Sequence, residues 1–251
     1  MLREDLHQLL QDLVSARGPC GQEHEVREVC EHWLTTNGFD HYRDASGNPV
    51  CRIDGPGPED DAIRVMVHLD EISFIIKRLL ADGTVKLAAL GSFSPAFLGQ
   101  VPVEIMGHAG PVPGVLSLGS WHTGEETPDV WQAKHGSYEI HQYEVITGMD
   151  GEALIEAGVR PGCGVVIARQ HRSLWYMGDL LAGYALDNRA PVTAVLESLR
   201  LLRDAGGPAV PVYVIFTAEE ELGSGTAGYA AHNLPGSLTL AVDVAPVSAE
   251  E

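Results

Sequence analysis

Residues 210–223, VPVYVIFTAEEELG, form an apolar run that stops at three consecutive carboxylates. Val212, Val214 and Phe216 alternate with Tyr213, Ile215 and Thr217, and most are β-branched or aromatic, the pattern of a strand buried on both faces. Glu219, Glu220 and Glu221 follow at its C-terminal end, and in open α/β sheets the ligand crevice lies outside the carboxyl ends of the strands. Acids crowded there repel one another unless something positive lies between them. A solvated acidic loop would explain an isolated triplet, so the question is whether other strands end in similar residues.

The rest of the chain supplies them. Residues 63–76, IRVMVHLDEISFII, read as one strand interrupted by His68, Asp70 and Glu71. In extended backbone His68 and Asp70 leave the same face, as a metal ligand with its orienting partner or as a buried hydrogen-bonded pair. The segment 180–186 leads to Asp187-Asn188-Arg189, followed by a helical face of Val192, Val195, Leu196, Leu199 and Leu202. Asp187 or Asn188 suits the N-cap of that helix, with Pro191 in its first turn. After the central strand come a short helix over 225–232 and a second buried strand over 237–244. Asp243 interrupts that strand, and a buried aspartate needs a partner.

Upstream, Leu6, Leu9, Leu10 and Leu13 mark one helix, and Val26, Val29, Cys30, Trp33 and Leu34 a second. Residues 39–53 read as a hairpin turning at Ser46-Gly47-Asn48. Between 77 and 172 the texture changes: short β-like runs at 101–105, 114–118, 139–146 and 165–168 alternate with Gly, Pro and Asp, with one helix over 151–157. This predicts a small β-barrel, 77–172, inserted into an α/β domain formed by 1–76 and 173–251. His122, Glu125 and Glu126 lie in a loop bounded by Gly124 and Pro128 and read as solvated.

With 251 residues and 45% apolar content the chain can bury a full core. Its 16 Lys and Arg against 35 Asp and Glu give a net charge of −19, which counts against nucleic acid and anionic membranes as partners and suits metal cations. No run approaches the roughly 18 apolar residues of a membrane span. The N-terminus, MLREDLHQLLQDL, reads as an amphipathic helix rather than a signal peptide, so a cytoplasmic location is expected. Cys20, Cys30, Cys51 and Cys163 have no CxxC spacing and read as buried small residues.

His68, Asp187, Glu221 and Asp243 are thus each a hard or borderline ligand at an element end. Imidazole and carboxylate without thiolate suit Zn²⁺, Co²⁺ or Mn²⁺, and one carboxylate can bridge two ions. The Glu220-Glu221 doublet offers one acid as ligand and one as general base. A paired-carboxylate glycosidase would use Glu220 and Glu221 but leaves His68 and Asp243 without purpose.

The blocks HLDEI (68–72), ALDNR (185–189), EELG (220–223) and AVDV (241–244), with LGQVPVEIMGHAGPVPGVL (98–116) between the first two, resemble the tetrahedral aminopeptidase family. These are dinuclear metallopeptidases of the glutamyl and deblocking type, often mislabelled endoglucanases. The resemblance implies a mixed-sheet α/β/α metallopeptidase domain with an inserted β-barrel. It also implies two divalent ions, zinc or cobalt, a peptide substrate cleaved at its N-terminus, and homo-oligomers building from dimer to dodecamer. By the same resemblance Asp187 bridges the metals, His68 and Asp243 complete the first site, Glu221 serves the second, Glu220 is the base and Asp70 orients His68. Glu219 receives no role. The family pattern includes a further histidine for the second metal beyond the aspartate block, and this sequence, ending at Glu251, has none in a matching context. The expectation is therefore a shortened chain or one completed by another, the alternative being a catalytically silent homologue that serves as a binding or assembly subunit.

Overall fold

The computed structural model describes residues 3–94, 98–119, 130–131, 136, 138–223 and 225–247. The chain divides into two units, Met1–Glu71 with Ser173–Glu251, and Ile72–Arg172. The first unit contains α1 (Glu4–Ser15), α2 (His24–Thr36), β1 (His41–Arg43), β2 (Pro49–Ile53) and β3 (Ile63–His68). The second holds β4 (Ser73–Leu79), β5 (Val85–Leu90), β6 (Pro102–Gly107), β7 (Gly110–Ser117), β8 (Glu144–Ile146), α3 (Gly151–Glu156) and β9 (Gly164–Ile167). The chain returns to the first with β10 (Trp175–Met177), β11 (Leu180–Ala182), α4 (Leu186–Asp204), β12 (Val212–Thr217), α5 (Gly225–Asn233) and β13 (Leu238–Ala241).

The first unit is a mixed sheet in the order β1-β2-β12-β3-β13. β12 runs antiparallel to β2 and parallel to β3, with Thr217 opposite His68, so the carboxyl ends of two parallel strands lie side by side. β13 is parallel to β3 on its other edge, and the Val242 amide donates to the Met66 carbonyl at 2.9 Å. Every residue of β12 is buried, as its two-faced apolar composition predicts. On one face Val67, Leu69, Val214 and Phe216 pack with residues of α1, α2 and α4, among them Leu13, Val26, Leu34, Val192 and Leu196. On the other, Met66, Tyr213 and Ile215 pack with Ala230 of α5. Each large side chain buried in this way contributes about 1.5–3 kcal/mol.

The second unit closes as a barrel, β4-β5-β8-β7-β6-β9, which leaves no sheet edge exposed to stray pairing. Phe74, Ile76, Val103, Ile105, Leu116 and Val165 are buried in this unit. Asp150 caps α3 by accepting the Ala153 amide at 2.9 Å. The mixed α/β fold with a barrel inserted in its sequence is therefore the one expected.

Several local expectations are corrected. The run 63–76 is two strands, because β3 ends at His68 and β4 starts at Ser73. The Glu71 amide donates to the Gly18 carbonyl at 3.0 Å, so the ladder of β3 gives way there to a bridge between Pro19 and Glu71. The strand expected over 237–244 spans only Leu238–Ala241 and is exposed throughout, because it pairs with β3 alone at the margin of the sheet. Asp243 lies beyond it with a side chain that is 47% exposed. Ala185 stands at φ 54° ahead of α4, and Asp187 and Asn188 are non-helical and joined by a cis peptide bond, so the regular helix runs from Arg189 with Asn188 flanking its first turn, one of the two N-cap positions expected. His122, Glu125 and Glu126 lie outside the described residues.

Candidate metal centre

The parallel register of β3 and β12 brings the two acidic strand ends together. His68, the last residue of β3, is 4% exposed. Its Nδ1 lies 3.1 Å from the Asp70 carbonyl oxygen and 3.4 Å from Asp70 Oδ1. Its Nε2 lies 3.2 Å from Asp187 Oδ1 and 3.8 Å from Asp243 Oδ1. Ligand atoms of His68, Asp187 and Asp243 all fall within 4.8 Å of one another.

Asp70 is fully buried and bonded on every side. Its Oδ1 accepts the Glu220 amide and its Oδ2 the Glu221 amide, each at 3.0 Å. Oδ2 also accepts the Cys20 thiol at 2.7 Å. Burial would raise its pKa, but the His68 ring, the Cys20 thiol and the two amides outweigh that and hold it at about 2. Burial likewise pushes the His68 imidazole down, yet the Asp187 and Asp70 carboxylates prevail and raise it to about 10. The Cys20 thiol is driven up by burial and then by Asp70, so it stays protonated and able to donate.

Glu219 stands at φ 57° and turns the chain into a short 3-10 turn, Glu220–Leu222. This turn aims the Glu220 and Glu221 amides at Asp70. Burial, and then the charge of Asp187, raise the Glu221 carboxyl to about 7. Glu221 is thus electrostatically coupled to the group without being one of the three ligand atoms that converge. Behind the site, fully buried Arg189 holds its Nη2 3.6 Å from Glu71 Oε1, which also accepts the Gly18 amide at 2.8 Å.

The donor set fits a divalent cation. It offers one imidazole nitrogen and two carboxylates, with the imidazole braced from behind by a carboxylate, as in carboxylate–histidine–metal arrangements. Sequence reasoning missed Cys20, Glu23, Glu71 and Arg189. Glu71 and Arg189 stand inside the HLDEI and ALDNR blocks, which signalled importance but named no partner. Nothing in Gly-Pro-Cys-Gly indicated contact with a residue 50 positions away.

Residues 47–251 match the family model described as M42 glutamyl aminopeptidase. The chain belongs to the M42 glutamyl aminopeptidase family. This M42 chain is 25% identical to FrvX of Escherichia coli (strain K12) over 240 residues, covering 95% of this chain but 64% of FrvX. It therefore spans less than two thirds of that relative's length. It superposes on the TET aminopeptidase of a marine-sediment Thaumarchaeota archaeon with a TM-score of 0.86 at 22% identity, covering 98% of this chain and 67% of the other. For the TET1 peptidase of Pyrococcus horikoshii, which can assemble into a tetrahedron or a large octahedral shell, the TM-score is 0.81 at 20% identity, with 98% and 72% covered. These likenesses establish a shared fold.

Proposed function

We propose that this M42 chain carries the site of a metal-dependent aminopeptidase that removes N-terminal residues from peptides. The observation that carries the reading is the convergence of His68, Asp187 and Asp243 within 4.8 Å. These three would hold one divalent ion, zinc or cobalt, and Asp187 with Glu221 would hold a second. Bound there, such ions supply Lewis acidity toward a carbonyl and lower the pKa of water.

The chain's own groups do the rest. Asp70 engages the Nδ1 side of His68 and leaves Nε2 facing Asp187 and Asp243. Glu220, whose amide is pinned to Asp70, takes a proton from the attacking water and passes it to the departing amine. Glu221, with its carboxyl raised to about 7, gains its charge more readily beside a cation. No helix among the described residues is long and apolar enough to cross a membrane.

The test is Glu220→Gln. Turnover of aminoacyl chromogenic substrates falls by about 10²–10⁴-fold, the usual worth of a general base, while bound zinc stays at the wild-type level. Equal loss of metal and activity would make Glu220 a structural residue instead.

A further inference from the structure

We propose that the loop joining α1 and α2 is the positioning element of this centre, with Cys20 fixing the Asp70 carboxylate and Glu23 fixing the turn that carries Glu220 and Glu221. The inference rests on the metallopeptidase reading above and concerns residues outside the His68, Asp187 and Asp243 group.

Asp70 orients His68 only as well as it is itself oriented. Two of its donors, the Glu220 and Glu221 amides, come from one turn. Cys20 adds a third from a separate segment of chain, at 2.7 Å on Oδ2, and so opposes rotation of the carboxylate away from the His68 ring. Glu23 acts on the turn itself. It is 2% exposed, and its Oε1 accepts the Gly21 amide at 2.6 Å and the Glu219 amide at 3.3 Å. Glu219 adopts the left-handed conformation, which is unfavourable for a residue with a Cβ. The carboxylate of Glu23 compensates by satisfying the Glu219 amide in that pose.

The loop that presents both residues is itself anchored. The Gly18 amide donates to Glu71 Oε1 at 2.8 Å, and the Glu71 amide returns to the Gly18 carbonyl at 3.0 Å. One short loop therefore braces the exit of β3 and the exit of β12. Cys20 and Glu23 are positioning residues, acting through Asp70 and through Glu219.

The experiment measures the zinc dissociation constant of the 251-residue chain by competition with a chromophoric chelator. Alongside it, the His68 ring N–H resonance of the metal-free protein is recorded by proton NMR. Cys20→Ala should weaken zinc binding by about 3- to 10-fold, below the 10–100-fold typical of a ligand's direct partner, and should shift the His68 resonance. Cys20→Ser, which keeps a donor, should restore both. Wild-type affinity and resonance in Cys20→Ala would overturn the proposal, as would equal weakening in the alanine and serine variants, which would indicate lost packing. If Cys20→Ala does not fold, Glu23→Gln and Glu23→Leu carry the test. The first keeps an acceptor and should retain affinity, the second should lose it, and equal affinities would overturn the proposal. A wild-type chain that takes up no zinc would overturn the metal reading itself, and the resonance of the metal-free variants would still report whether Cys20 sets the His68 geometry.

Discussion

His68 is held from both sides, by Asp70 on Nδ1 and by Asp187 on Nε2 at 3.2 Å, and this makes the metal-free site sensitive to pH. With its pKa raised to about 10 from an unfolded value near 6.5, His68 contributes stability that is full below about 6.5 and is lost as pH rises through about 10. Asp70, depressed to about 2, contributes stability that is full above about 3.9 and is lost as pH falls toward 2. The urea midpoint of the metal-free protein should therefore decline between about pH 7 and 10. Zinc must displace the His68 proton, so its apparent affinity should rise by about tenfold per pH unit across that range. A zinc affinity independent of pH would show that the imidazolium is not what zinc replaces. The three residues that converge, His68, Asp187 and Asp243, were legible in sequence because each stands in a distinct block at or near an element end. Cys20 and Glu23 were not, because their chemistry exists only once the α1–α2 loop folds against Asp70 and Glu219.

Gly18 shows what the elements demand of one another where that loop leaves α1. A Cβ there would lie 2.6 Å from Arg189 Nη2, 2.9 Å from Val26 Cγ2 and 3.2 Å from the Leu69 carbonyl oxygen. Arg189 is fully buried beside Glu71 and has little room to yield. Gly18→Ala should cost about 1–3 kcal/mol, the usual penalty of overpacking, seen as a lower urea midpoint with an unchanged slope. Wild-type stability would mean that the Arg189 guanidinium moves freely. The same scale explains the errors of the sequence reading. β12 was plain because α1, α2 and α4 on one side and α5 on the other bury both faces of a uniformly apolar run. The break between β3 and β4 was hidden because residues 69–76 have strand-like composition, and only the bridge from Glu71 to Pro19 reveals where the chain leaves the sheet. The exposure of β13 was hidden because a strand's composition does not record how many neighbours it has.

Across the molecule, acidity and an apolar margin pull in opposite directions. A net charge of −19 opposes self-association, while Leu238 and Leu240 on β13 stand 47% and 45% exposed on a strand paired on one side. We expect these exposed leucines of β13 to favour contact between copies of this chain. Raising salt should shift sedimentation toward larger species by screening the charge, and Leu240→Lys should oppose the shift if β13 takes part. Identical profiles for the two proteins at every salt concentration would exclude β13 from the contact. The central claim, that His68, Asp187 and Asp243 form a metal centre, is tested most directly by elemental analysis of the purified chain after loading with zinc and removal of the excess. At least one tightly held zinc ion per chain, lost in His68→Ala and in Asp243→Ala while both variants keep the wild-type circular dichroism, is the predicted result. A wild-type chain with no zinc above the buffer, or variants that hold as much zinc as the wild type, would contradict it.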